Sequence, residues 1–428
     1  MPTVLKYFLF LSKSRKQIPG FKSILLSFHR LPWFGISLGK SALRSFLRKE
    51  QWVLPSPTTD VNLLDDDKKI EFIESSGTLY ELLTALEISN EEFQNLEESP
   101  SNAQKTLSIK TLCFRKELAE LSRFFKISHG FVPQGFFLDA YEISRLCFSL
   151  KIPCLMIENT FLHDRVLVEP TDKNYFIGKG LLTRTKDFRS IQKLTQNQID
   201  NLVEKHLNRP KSDQHRTVGG MIPDRLNDFV LFLGQVYTDA SLLFNQCSYS
   251  KNAIELIREI IFLSKSLGKP IVLKLHPKEH HGIDPVNFRP YENLTHRKLL
   301  DAGISESPND GIYIDFDDRW STFELMKQSS LAITINSQSG FEAMLLGKEL
   351  ISCGNPYYEN LQSCISARDK STLSSTMEKV LINGVKTNNQ SECWNFFDYI
   401  RNDYFIKKHP TNIFSKIDRR LKDNFYFN

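Results

Sequence analysis

The sequence contains no apolar run of the ~18 residues a membrane-spanning helix needs, no CxxC pair, and no clean small-residue cleavage site near its start. The first absence argues against a spanning helix. The second, with an odd number of cysteines, seven in all, argues against a disulfide frame or a zinc site. Several cysteines stand inside apolar runs, as Cys154 does between Ile152 and Ile157, so reduced core thiols of a cytoplasmic protein are expected. The third, with Lys13, Arg15 and Lys16 interrupting the first apolar segment, speaks against a secretory leader.

What is present fits an ordinary globular chain. At 428 residues it is long enough for two domains, each with its own core. A hydrophobic content of 41% beside 25% charge places it among soluble proteins. The net charge of +5 is unevenly placed, because residues 1–50 carry ten Lys or Arg and a single acid, Glu50. Tyr7, Phe8, Phe10, Phe21, Phe28, Trp33, Phe34 and Phe46 lie among them. Such a basic, aromatic extension suits an anionic membrane surface or a basic helix pair packed on the domain. No nucleic-acid module accompanies the charge, and no nucleic-acid partner is expected.

Residues 51–110 are acidic and helical in pattern, and the triplet Asp65, Asp66 and Asp67 reads as a helix start before it reads as a metal site. From 111 to 222 helices alternate with strands, which argues for a parallel sheet covered by helices. Polar, turn-rich residues 205–228 mark an interdomain linker. A second unit follows, with strands expected over 229–235, 270–277, 312–316, 331–335 and 349–353. The expected class is therefore α/β: a basic helical extension over 1–50 and two Rossmann-like domains over 51–222 and 223–428.

The densest signal lies at 331–347. An apolar strand, Leu331 to Ile335, runs into Asn336, Ser337, Ser339 and Gly340, then into helix formers that Gly347 stops. A strand, a Ser/Gly turn and a helix N-terminus make an anion cradle, though Ser337 or Ser339 also suits a plain N-cap. Glu342, in the first turn of that helix, offers a carboxylate to a ribose. Asp239, His276 and the serines all follow apolar strands, placing them on one rim at the strands' carboxyl ends, where open parallel sheets bind ligands. His276, held by Pro277 with Lys274 nearby, offers a cation or hydrogen bond to a phosphate. Asp315 and Asp317 sit in a strand-to-helix turn and read as capping residues.

Four blocks resemble the capsule polysaccharide biosynthesis family, which includes the bacterial Kdo (3-deoxy-manno-octulosonate) transferases that use CMP-Kdo. They are Pro153–Phe161 with Glu158, Gly234–Ser241 with Gln235, Asp239 and Ser241, Lys274–Pro277, and Thr334–Lys348 followed by Gly354–Tyr358. The resemblance implies a GT-B-type enzyme whose two Rossmann-like domains have parallel sheets facing a cleft, the C-terminal domain holding the nucleotide. It implies that Lys274, His276, Ser337, Ser339 and Gly340 hold the CMP phosphate and Glu342 the ribose. Glu158 and Asp239 then face the sugar as acid/base and nucleophile of a retaining transfer, with Gln235, Ser241 and Asn336 as further cleft residues. No cofactor and no metal are implied; the partners are a CMP-activated sugar and a glycan or glycolipid acceptor. The block at Glu158 departs from the family in Thr160, where a turn-forming Gly is expected, and in His163 and Asp164, where Arg and Ser are expected. Two other readings remain open: a glycerophosphate-type transferase using a CDP-alcohol, and a non-catalytic scaffold of polysaccharide export.

Overall fold

The computed structural model describes residues 22–26, 50–53, 76–96, 101–133, 136–162, 164–171, 193–207, 220–223, 226–244, 252–284 and 289–407. They fall into two compact α/β units, one drawn from 1–83, 96–180 and 401–428, the other from 84–95 and 181–400. The boundary thus lies before the linker read at 205–228. The Asp65–Asp67 triplet, His163 and most of that linker lie outside the described residues. Among the described residues no helix is long and apolar enough to cross a membrane.

The first unit holds strands β1 (Lys22–Leu26), β2 (Glu50–Val53), β3 (Ile127–Pro133), β4 (Cys154–Asn159) and β5 (Arg165–Pro170), and β12 (Ile406–Lys407) returns to it. Their order is β12-β5-β4-β3-β1-β2, with β2, β1, β3 and β4 parallel and β5 and β12 each antiparallel to the strand before it in the sheet. β1 corrects the helical reading of residues 1–50: Lys22–Leu26 is an inner strand, made so by Ile24, Leu25 and Leu26 between two polar flanks. β2 likewise replaces a helical reading at the start of 51–110. Two buried carboxylates tie the helices of this unit together. Glu142 takes two 2.8 Å bonds from the Arg115 guanidinium and a third from Arg145, and Glu81 accepts both Lys110 and the Leu138 N–H that opens the helix Leu138–Ser149.

The second unit is a six-stranded, all-parallel sheet: β6 (Val230–Leu233), β7 (Ile271–Lys274), β8 (Ile312–Asp315), β9 (Leu331–Thr334), β10 (Leu350–Ser352) and β11 (Cys364–Ser366). The order β11-β10-β9-β6-β7-β8 is that of a doubly wound Rossmann sheet. Every residue of β6, β7, β8 and β9 is buried, as continuous apolar strands covered on both faces must be. The helix Ala253–Ser266 shows why the crossovers stay attached. Asn252 caps it through Ile254 N–H at 2.9 Å, its stripe Ile254, Ile257, Ile260 and Ile261 joins Val230, Leu273 and Ile314 in the core, and Gly268 (φ 66°) ends it in the left-handed region.

β9 turns directly into the helix Gln338–Leu345, and its third residue must be small. A Cβ on Gly340 would lie 2.3 Å from the Tyr358 hydroxyl and 2.9 Å from the Thr334 methyl. That hydroxyl donates to the Ser337 carbonyl at 2.5 Å, so Tyr358 seals the turn from behind. Gly340→Ala is expected to cost about 1–3 kcal/mol through overpacking. Thermal melting of Gly340→Ala, Tyr358→Phe and the double variant checks this: the double variant should lose less than the two singles together, and simple additivity would contradict the contact.

Candidate functional site

β6 and β9 are hydrogen-bonded neighbours whose crossovers leave in opposite directions, so the sheet's topological switch point lies at their carboxyl ends. Two segments meet there. Gln235, just beyond β6, accepts the Asn336 N–H at 3.1 Å through Oε1 and donates through Nε2 to Ser241 Oγ at 2.9 Å. Ser241 Oγ lies 2.6 Å from Asp239 Oδ1 and 3.1 Å from Asn336 Oδ1, and its single proton serves one of them at a time. The Ser241 N–H also donates to Asp239 Oδ1, at 2.8 Å. Asp239 therefore heads the short helix Ala240–Phe244 as an Asx cap. The four residues Gln235, Asp239, Ser241 and Asn336 form one connected, half-buried cluster.

The Ser/Gly turn is built, but its backbone donors are largely spent on building it. The N–H groups of Asn336, Ser337, Ser339 and Gly340 donate to Gln235 Oε1, Thr334 Oγ1, Ser337 Oγ and the Ser337 carbonyl. Ser337 is the N-cap of Gln338–Leu345, and what the turn offers an anion is the helix dipole and hydroxyls. Ser339 and Glu342 are half-buried in the first turn of that helix.

His276 follows β7 on the same edge of the sheet. Its Nδ1 accepts the Lys278 N–H at 3.1 Å, which places the proton of the neutral ring on Nε2 and makes that nitrogen the donor. Lys274, expected at the phosphate, is elsewhere. Register pairs it with Asp315 on β8, and its Nζ reaches Asp315 at 2.8 Å, Asp318 at 2.5 Å and the Trp320 carbonyl at 3.1 Å. All three donors of a side chain only 3% exposed are used, so Lys274 is a structural cation. Asp315 also accepts the Arg319 and Trp320 N–H groups of the loop, and Asp317 pairs with Arg319. The cap of the helix Thr322–Gln328 is Ser321, which corrects the capping role read for the two aspartates.

Glu158 belongs to the first unit. β4 extends through Glu158 and Asn159, further than the apolar run alone suggested, and returns as β5 in a hairpin. Glu158 Oε1 accepts the Asn159 N–H at 2.9 Å. The glycine absent from this block is replaced by a hydroxyl: Thr160 Oγ1 lies 3.0 Å from the Leu162 carbonyl and accepts the Leu162 N–H at 3.1 Å. Thr160 has no positive φ, so that position does not require glycine.

Four residues around the Asp239 loop escaped sequence reading. Tyr237 donates its hydroxyl to Glu92 Oε2 at 2.7 Å, and Lys298 reaches Glu92 Oε1 at 2.9 Å. Glu92 also closes a capping box with Ser89, the only advance signal in this group. Burial pushes the Glu92 carboxyl up, but the bonds from Ser89, Tyr237 and Lys298 outweigh it and hold it below its ordinary value of 4.5. Burial first, then the Glu92 carboxylate, pushes the Tyr237 phenol above its usual range. Glu279, 2% exposed, accepts the Tyr237 N–H at 2.9 Å.

The two sheets, each covered by helices, and the polar cluster at the switch point of the second define an α/β protein of two Rossmann-like units. Residues 186–361 match the model of the family described as capsule polysaccharide biosynthesis protein, and this span contains three of the four blocks that carried the resemblance. No curated protein matches the chain. Similar solved structures include KpsC, beta Kdo 2,7 transferase, of Thermosulfurimonas dismutans, at 13% identity and TM-score 0.47 over 92% of this chain and 95% of that one. KpsC, beta Kdo 2,4 transferase, of the same organism is 18% identical with TM-score 0.45 over 69% and 87%. The UDP-GlcNAc 2-epimerase of Methanocaldococcus jannaschii is 13% identical with TM-score 0.33 over 89% and 99%.

Lys274→Met is expected to cost about 3–5 kcal/mol, because it leaves Asp315 and Asp318 buried without their cation; urea unfolding checks it. The Glu92 carboxyl has a folded value below its unfolded one, so its contribution is complete above pH 4.5 and fades as pH falls through the folded value. The wild-type melting temperature should drop more steeply on acidification below pH 4.5 than that of Glu92→Gln, and parallel curves would refute the assignment.

Proposed function

We propose that the chain is a glycosyltransferase that moves a sugar, Kdo or a related acidic sugar, from a CMP-activated donor onto a capsule or lipopolysaccharide glycan or glycolipid. The observation that carries the reading is the Gln235–Asp239–Ser241–Asn336 cluster at the switch point, flanked by His276 and by the N-terminus of Gln338–Leu345. The match of residues 186–361 to the capsule family supports it.

In this reading the donor phosphate meets His276 Nε2–H, the hydroxyls of Ser337 and Ser339 and the helix dipole, and Glu342 binds the ribose. CMP leaves as a stable anion, so its departure needs donors and dipoles more than a proton. Asp239 is the nucleophile. Ser241 holds Oδ1 with two hydrogen bonds, leaving Oδ2 to form the bond to the anomeric carbon as the bond to phosphate breaks. Glu158 then takes the proton of the acceptor hydroxyl as that oxygen displaces Asp239, which retains configuration. The transfer uses no metal in this reading. The protein acts in the cytoplasm at the inner face of the membrane, which the basic residues of 1–50 contact.

Calorimetric titration of CMP, with UMP, GMP and ADP as controls, tests the donor class. Wild type should bind CMP selectively, and His276→Ala should weaken it by about 1–3 kcal/mol, the cost of a lost charge-assisted contact. Asp239→Ala and Glu158→Gln should each abolish turnover of CMP-Kdo while leaving CMP bound. Absence of any nucleotide binding overturns the reading in favour of a non-catalytic scaffold.

A further inference from the structure

Glu279 takes no part in the chemistry just described, yet three segments of the second unit's edge converge on it. It lies in the short helix Lys278–His281, directly after His276 and Pro277. Oε1 accepts the Tyr237 N–H at 2.9 Å and the Thr295 hydroxyl at 2.7 Å, and Oε2 accepts the Thr295 N–H at 2.9 Å. Its own N–H donates to the His276 carbonyl at 2.9 Å, and its carbonyl accepts the Asn293 N–H at 3.0 Å.

All three partners of the side chain are donors, so an ionised carboxylate satisfies them and an amide does not. Burial pushes the Glu279 carboxyl up, against the bonds from Tyr237 and Thr295. Holding a charge in such a place is costly. Asn293 holds the N-cap position of the helix Leu294–Asp301 but its side chain makes no cap bond, so Glu279 caps that helix through the Thr295 N–H. The cap does not account for its bond to Tyr237. What the carboxylate uniquely reaches is the main chain of Tyr237, two residues before Asp239. Tyr237 is then held at its other end by Glu92.

We propose that Glu279 is a positioning residue that locks the Asp239 loop to the His276 segment, so that the nucleophile and the phosphate donor keep a fixed separation. This rests on the assignment of Asp239 and His276 given under the proposed function. Loss of the lock leaves the nucleotide contacts of His276, Ser337 and Ser339 in place but lets the carboxylate drift, and a small misplacement of a reacting group is felt in turnover before it is felt in affinity.

The test uses the full chain as wild type, Glu279→Gln and Thr295→Val, with three readouts: CMP affinity by calorimetry, turnover of CMP-Kdo, and hydrogen exchange at the Tyr237 amide. For Glu279→Gln, turnover is expected to fall on the order of 10- to 100-fold, CMP affinity to change little, and the Tyr237 amide to exchange faster. Thr295→Val, which keeps the carboxylate and removes one donor, should lie between the two, and it carries the test if Glu279→Gln does not fold. Turnover at the wild-type level, parallel losses of affinity and turnover, or an unchanged Tyr237 amide would each overturn the proposal. A wild type that binds CMP and turns nothing over sinks the transferase reading instead, and the exchange measurement then decides on its own whether Glu279 holds the loop.

Discussion

The hydrogen-bonded pairing of β6 with β9 is the constraint on which the rest of the second unit depends. Right-handed crossovers carry the chain from β6 through β7 to β8 on one side and from β9 through β10 to β11 on the other. Helices therefore diverge from this pair of strands, and the polypeptide just beyond them is left to irregular segments. Those segments must satisfy their own backbone groups. They do so by borrowing from each other, as Gln235 supplies an acceptor to Asn336 and Asn336 donates through Nδ2 to the Ser241 carbonyl at 3.3 Å. A polar cluster thus follows from the topology before any ligand is considered.

The edge of this sheet is stiffened by carboxylates matched to donors, Glu279 and Asp315 buried and Glu92 half-buried. Glu279 binds two segments to its own, Glu92 ties Tyr237 and Lys298 to the helix Asn90–Gln94, and Asp315 gathers Lys274 with two backbone amides. Removing one partner of such a buried group costs more than the pair contributes. That asymmetry fixes the loops in one arrangement, a precondition for any chemistry that needs a carboxylate and a donor at set positions.

Much of this was open to reading in the residues. Five of the six strands of the second unit are short apolar runs ended by a polar or turn residue, while β11, three residues long with a single apolar Ile365 beside Cys364, escaped reading. Asn252 with Gly268, Ser321 and Gly347 bracket their helices as caps should. The grouping of Gln235, Asp239, Ser241 and Asn336 was legible only as four residues following two strands. Lys274 misled, because its place before His276 and Pro277 reads as a ligand contact until register sets it opposite Asp315. Lys22–Leu26 misled for the opposite reason: a basic, aromatic neighbourhood masked a strand whose partners, β2 and β3, lie far along the chain. At Thr160, a hydroxyl does through hydrogen bonding what a glycine does through backbone freedom, and no spacing rule announces the exchange.

The sequence by itself determined the α/β class, the two-unit scale, most element boundaries in residues 229–382, and the set of polar side chains that end the strands, because period, caps and breakers are local properties. Only the tertiary structure decided which of those side chains meet, which are consumed by the fold, and that residues 84–95 and 401–407 join units distant in sequence. Those outcomes turn on strand order and on the burial of donors and acceptors. Both depend on contacts between residues far apart in the chain, and the free energy of a buried charge depends on every partner that such contacts bring to it.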